Sequence, residues 1–62
     1  MNRKQIIQNL EAGNYDAFGD DLYLEKQMFP QGYETIEEMI KDQGTFHISQ
    51  FLIEDFPDRY EI

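Results

Sequence analysis

His47 is the only histidine in this sequence and Ser49 the only serine, so any pairing of a nucleophile with a general base must use these two. On a helix, residues so spaced point in widely different directions. On a strand they share a face, but acyl transfer also needs an orienting acid and oxyanion donors, and nothing nearby suggests a nucleophile turn. His47 is therefore expected to be partly exposed and to have no special role. Carboxylates are the other candidates for chemistry. Asp20, Asp21 and Glu25 form the densest cluster, and Glu54, Asp55 and Asp58 a second. Hard cations take such oxygens, but neither cluster has the alternating acids, central glycine and distant glutamate of an EF-hand loop. Both read as solvated acidic faces, and no metal is expected. There is no glycine-rich phosphate loop and no cofactor motif, so no cofactor is expected and the chain is read as a non-enzyme.

Charge says more than any single residue. Thirteen Asp and Glu against five Lys and Arg leave a net charge of −8 on 62 residues. That charge opposes contact with nucleic-acid phosphates or anionic lipid and favours basic partner proteins, including those that themselves bind DNA or RNA. From Glu11 to Glu38 there are eight acids and a single base, Lys26. If the middle segments are helical, Asp16/Asp20, Asp21/Glu25 and Glu38/Asp42 are like-charge pairs one turn apart, each unfavourable by about 0.2–0.5 kcal/mol. Such carboxylates lie about 6 Å apart along the axis, comparable to successive phosphates on a strand, so a nucleic-acid-mimicking surface is geometrically possible.

Aromatic residues raise a second possibility. Four Tyr and five Phe exceed what so small a core is expected to cover, so some should sit at an interface. Tyr23, Tyr33 and Tyr60, each close in sequence to an acid, are the candidate contacts, because tyrosine combines contact area with a polar tip; the alternative is that they lie over the core edge with their hydroxyls in water. The expected partner-binding set is Asp16, Asp20, Asp21, Glu25, Glu34, Glu37 and Glu38 with Tyr23 and Tyr33.

The elements that position these groups follow from hydrophobic spacing. The length allows one domain, spanning 1–62, near the size at which folding usually needs disulfides, metals or association. Cysteine is absent, so packing or a second copy of the chain must supply stability. Asn2 to Ala12 reads as a helix on Ile6, Ile7 and Leu10, capped by Gly13. Asn14 is a competent N-cap for a second helix reaching at least Leu22, although Leu22-Tyr23-Leu24 also alternates as a strand would. Phe29-Pro30-Gln31-Gly32 predicts a turn, since Pro30 pushes Phe29 out of the helical region. Thr35-Ile36-Glu37-Glu38 fits a capping box, opening a helix with Ile36, Met39 and Ile40 inward and Gly44 at its end. The last third predicts a helix from about His47 to Phe56 ended by Pro57, with a hairpin through Asp55–Asp58 as the alternative. The expected fold is mainly α, a compact array of about four short helices; the alternative is a small α+β unit with that hairpin.

Two segments resemble known families. Leu10-Glu11-Ala12-Gly13-Asn14-Tyr15-Asp16-Ala17-Phe18 resembles the opening helices of the SnoaL and NTF2-like α+β cone proteins, a fold about twice as long as this chain. Phe29-Pro30 followed by a short acidic helix with Ile36 is similar to the middle of the YozE-like, SAM-like helical domains. Each resemblance implies fold alone.

Met1-Asn2-Arg3-Lys4 leads into a mixed stretch rather than an apolar run, and the longest apolar run is Phe51-Leu52-Ile53. Neither a signal peptide nor a membrane span is expected, and the cytoplasm is the expected location. Size, charge and the lack of a catalytic set point to a small acidic protein-binding module. Its expected role is inhibitor or modulator of a basic or nucleic-acid-binding host protein, of the type phages and mobile elements encode. The main alternative is a non-catalytic assembly or stabilising subunit, forming a homodimer or a stoichiometric complex through its aromatics. Mimicry of a nucleic acid is the second alternative.

Overall fold

Asn2 opens the first helix by a reciprocal exchange: its Oδ1 accepts from the Gln5 amide and the Gln5 Oε1 accepts from the Asn2 amide, both at 2.9 Å. Two of the free donors at the helix start are thereby satisfied. The structure, a computed structural model, describes residues 1–62, and this helix, α1, spans Arg3–Glu11. Ile6 and Leu10, one turn apart, are its buried residues. Its end is a Schellman turn, in which the Asn14 amide donates to the Asn9 carbonyl and the Gly13 amide to the Leu10 carbonyl. Gly13 has φ +74°, where a side chain would be strained.

The helix expected from Asn14 through Leu22 is instead two pieces. A 3-10 turn covers Tyr15–Phe18, and α2 begins at Asp21 and runs to Met28. Gly19 separates them at φ +58°, ψ −127°, outside helical space. Asn14 holds the N-cap position of the 3-10 turn but makes no side-chain capping bond; its side chain donates to Asn9 Oδ1 at 2.8 Å. The break turns Phe18 and Leu22 together into the core, so the helical spacing is honoured without one continuous helix.

Phe29 is extended as Pro30 requires, and the Gly32 amide closes a turn on the Phe29 carbonyl at 3.0 Å. α3 spans Ile36–Gln43 and starts where the capping signal placed it: Thr35 Oγ1 accepts from the Glu38 amide at 3.1 Å. The reciprocal half is displaced by one residue, because the Glu38 carboxylate accepts from the Glu34 amide rather than that of Thr35. Gly44, at φ +90° and ψ 151°, ends α3 and opens α4 at the same residue. α4 spans Thr45–Asp55, starting before the expected His47 and burying Ile48, Ser49 and Leu52. The Asp55–Asp58 hairpin is not formed, nor are the strands that likeness to the α+β cone proteins would imply. The chain turns through Pro57–Arg59 and returns to α1, where an isolated parallel bridge joins Asn2 and Glu61.

The fold is mainly α, a compact array of four short helices. α1 packs most extensively on α4, α3 lies beside α4, and α2 touches both α3 and α4. Ile6, Leu10, Phe18, Leu22, Met39, Ile48 and Leu52 fill the centre. No helix is long and apolar enough to cross a membrane.

Candidate functional site

The carboxylates expected on solvated acidic faces divide into two kinds. Asp21, in the first turn of α2, is buried. Arg59 donates to it through Nε and Nη2 at 2.9 and 2.7 Å, and the Tyr60 hydroxyl donates at 2.5 Å. Burial alone would push this carboxyl up, but the Arg59 and Tyr60 hydrogen bonds and the Arg59 charge outweigh it and hold Asp21 below its ordinary value. Tyr60, buried and donating to Asp21, is pushed above the usual phenol range. Asp21 thus fastens the last residues to α2.

Glu25, one turn further along α2, is 1% exposed, and its Oε1 has no hydrogen-bond partner. Burial, then a hydrogen bond with Asp55, then the charges of Asp55 and Asp21 push its carboxyl up to about 8. At neutral pH it therefore holds its proton, since that state avoids a buried charge beside two carboxylates. Glu25 lines a hollow of about 300 Å³ with Met28, Phe29, Pro30, Phe51, Glu54 and Asp55. No three acidic or histidine side chains of the structure stand together closely enough to hold a metal ion.

Tyr33 is also buried rather than presented to a partner. Its hydroxyl donates to Asp42 and accepts from the side-chain amides of Gln31 and Gln43 at 2.7 and 2.8 Å. That network ties the Phe29–Gly32 turn to the end of α3. Of the expected contacts, Asp16, Asp20, Glu34, Glu37, Glu38 and Tyr23 are exposed. Tyr23, Glu34 and Glu37 meet around a hollow of about 280 Å³ with Tyr15, Lys26, Thr35 and Ile36. Asp20 lies instead on the rim of a wider, open hollow beside Asp21, Leu24 and Arg59. Of the three like-charge pairs, only Glu38/Asp42 is exposed on one helix: Asp16 and Asp20 straddle the Gly19 break, and Asp21 and Glu25 are buried.

No family model, curated protein or solved structure matches this chain. All of the acids except Asp21 and Glu25 are exposed, and the molecule contains one ion pair, Arg59 with Asp21. The remaining bases do not neutralise the exposed acids: Arg3 lies over the Phe46 ring and donates to Gln50, and Lys26 donates to the Tyr33 carbonyl. Ser49 is fully buried with its hydroxyl donating to the Phe46 carbonyl, while His47 is exposed with its ring against Phe51.

Sequence reasoning missed the joining of Glu25 to Asp55 and Glu54, having placed them in separate clusters. A signal was present. Glu25 falls three residues after Leu22 and four before Phe29, on the stripe that α2 turns inward, so a buried acid was legible in its position. The pairing of Arg59 with Asp21 has no such signal, because those residues are 38 apart in sequence.

Proposed function

We propose that this chain is an acidic protein-binding module that docks on a basic surface of a partner protein and so modulates or inhibits it. A nucleic-acid-binding host protein, met by a factor of the type phages and mobile elements encode, is the partner class that the charge favours. The observation that carries this reading is the lack of internal neutralisation: the exposed carboxylates have no ion-pair partner within the molecule, and the single ion pair is spent on a buried aspartate. A surface of that kind steers basic partners and repels phosphate. Because the like-charge pairs do not line up along one exposed helix, the reading is of docking rather than of imitation of a phosphate array.

A variant carrying Asp16→Asn, Asp20→Asn, Glu34→Gln and Glu37→Gln tests it. These side chains are exposed and make no side-chain hydrogen bond, so the melting curve should stay within a few degrees of wild type. Affinity capture from cytosol should yield basic proteins at low salt, lose them at high salt and fail with the variant. Unchanged capture by the variant would refute the proposal.

A second reading is favoured by one feature. Leu24 and Met28, one turn apart on α2, are 43% and 58% exposed. An apolar pair of that kind suits an assembly interface, which would bind a second copy or a fixed partner independently of salt. Sedimentation at low and high salt distinguishes the two.

A further inference from the structure

The hollow between α2 and α4 combines features that a solvated acidic face does not need. Its floor is a carboxyl group almost wholly withdrawn from water, with one oxygen lacking any partner. Unpartnered buried oxygens are rare because each forfeits its hydration without compensation. The walls are apolar, from Met28, Phe29, Pro30 and Phe51, and the mouth carries two exposed carboxylates, Glu54 and Asp55. Glu54 is steadied by Gln50, whose side-chain amide donates to Oε2 at 2.7 Å.

We propose that this hollow receives one lysine side chain of the basic partner, its ammonium displacing the hydrogen bond between Glu25 and Asp55 and bridging the two carboxylates, with its methylene stem against Met28, Phe29 and Phe51. The inference rests on the acidic-docking reading above and identifies the site at which that docking becomes specific. Lysine matches the shape: it has a long apolar stem and a compact head with three donors and no acceptor. A metal ion would need more converging oxygens than the site offers. A guanidinium spreads its charge over a broad planar fork, whereas the compact ammonium concentrates its charge and donors on a single buried oxygen. Glu25 is hydrogen-bonded to Asp55 at the hollow and has Asp21 one turn back on its own helix, and Asp21 is already matched by Arg59. An arriving ammonium therefore satisfies the unpartnered oxygen and removes the repulsion that keeps Glu25 protonated. The exchange is balanced: the Glu25–Asp55 hydrogen bond breaks, its proton leaves to solvent, the lysine keeps its own three, and two ammonium–carboxylate contacts replace the one bond lost.

The test is calorimetric titration at neutral pH with a peptide of alternating lysine and glycine, repeated in buffers of different ionisation heat. Counterparts carrying norleucine or arginine in place of lysine are titrated in parallel. The lysine peptide should bind with release of about one proton and tighten by up to about tenfold per pH unit as the pH approaches 8. The norleucine peptide should not bind, and the arginine peptide should bind more weakly. Glu25→Gln should abolish proton release and weaken binding at least about tenfold, the loss of a charge-assisted hydrogen bond. Asp55→Asn, at an exposed position, should weaken it similarly and provides a second readout if the first variant is perturbed. Binding without proton release, or unaffected by both variants, overturns the lysine site. If that binding is still lost in the Asp16/Asp20/Glu34/Glu37 variant, the acidic-docking reading survives alone. Failure of wild type to bind the lysine peptide at low salt overturns the lysine site, and failure of the arginine peptide as well overturns the acidic-docking reading with it.

Discussion

Replacing Glu25 with glutamine should alter how the stability of this protein depends on pH, in a direction opposite to the usual behaviour of carboxylates. The Glu25 carboxyl titrates at about 8 in the fold against 4.5 for the free side chain. Between those values the folded chain holds a proton that the unfolded chain releases, so stability is full below the lower value and falls as pH rises through the interval. At about 1.36 kcal/mol per pH unit, the interval corresponds to a loss on the order of 5 kcal/mol. A domain of 62 residues has a total stability of roughly 3–9 kcal/mol, so wild type should be close to unfolding in mild alkali. Glutamine is similar in size, cannot ionise, and can donate from Nε2 to Asp55 where the acid donates its proton. The variant should therefore be nearly flat from about pH 5 to pH 9 and clearly more stable than wild type at the upper end. Asp21 acts in the opposite sense. Held below its ordinary value of 3.8, it contributes stability that is lost as pH falls through its folded value, giving both proteins the same acid limb. Urea denaturation followed by far-UV circular dichroism across that pH range measures each curve, with a constant m-value confirming that only stability has changed. Parallel curves for wild type and variant between about pH 5 and pH 9 would refute the reasoning, because they would mean that Glu25 is ionised inside the fold.

Two further substitutions test the local structure. Gly44→Ala meets no steric obstacle, since nothing lies within 4 Å of the added carbon, so its cost is the backbone's alone. At φ +90° and ψ 151° it should destabilise by about 1–3 kcal/mol in chemical denaturation, and a neutral result would show that the α3–α4 junction relaxes freely. Thr35→Ala removes the acceptor of the Glu38 amide and should cost about 1 kcal/mol, a fall of roughly 5 °C in the thermal midpoint.

Elements defined by signals within a few residues of each other were legible in the sequence. Ile6 and Leu10 before Gly13 gave α1, and Thr35 ahead of Ile36, Met39 and Gly44 gave α3. The break at Gly19 was not legible, because Tyr15, Phe18 and Leu22 keep helical spacing across it. A single glycine can be tolerated in a helix as well as end one. The start of α4 lay earlier than its apolar stripe suggested because Gly44 serves two helices and leaves no linker. The site was read least well. Asp21, Glu25 and Tyr33 look like surface residues by type, yet each is buried by a partner on another element: Arg59, Asp55 and Asp42 respectively. Composition reports that acids are numerous but not which of them the fold will enclose.

The packing of α1 on α4 also constrains how the molecule comes into being. Its helices, of eight to eleven residues, are shorter than the roughly 12–15 needed for a helix to persist alone in water. Each depends on contacts made elsewhere, and the most extensive contact of α1 is with α4, made well after it. During synthesis the first three helices therefore emerge without the surface that completes the core. Tyr60, which packs with Phe18 and holds Asp21, arrives later still. Ordering of the core is therefore expected to wait for α4 and the Tyr60 segment, and until then the aromatic side chains they cover stay open to chaperones and proteases.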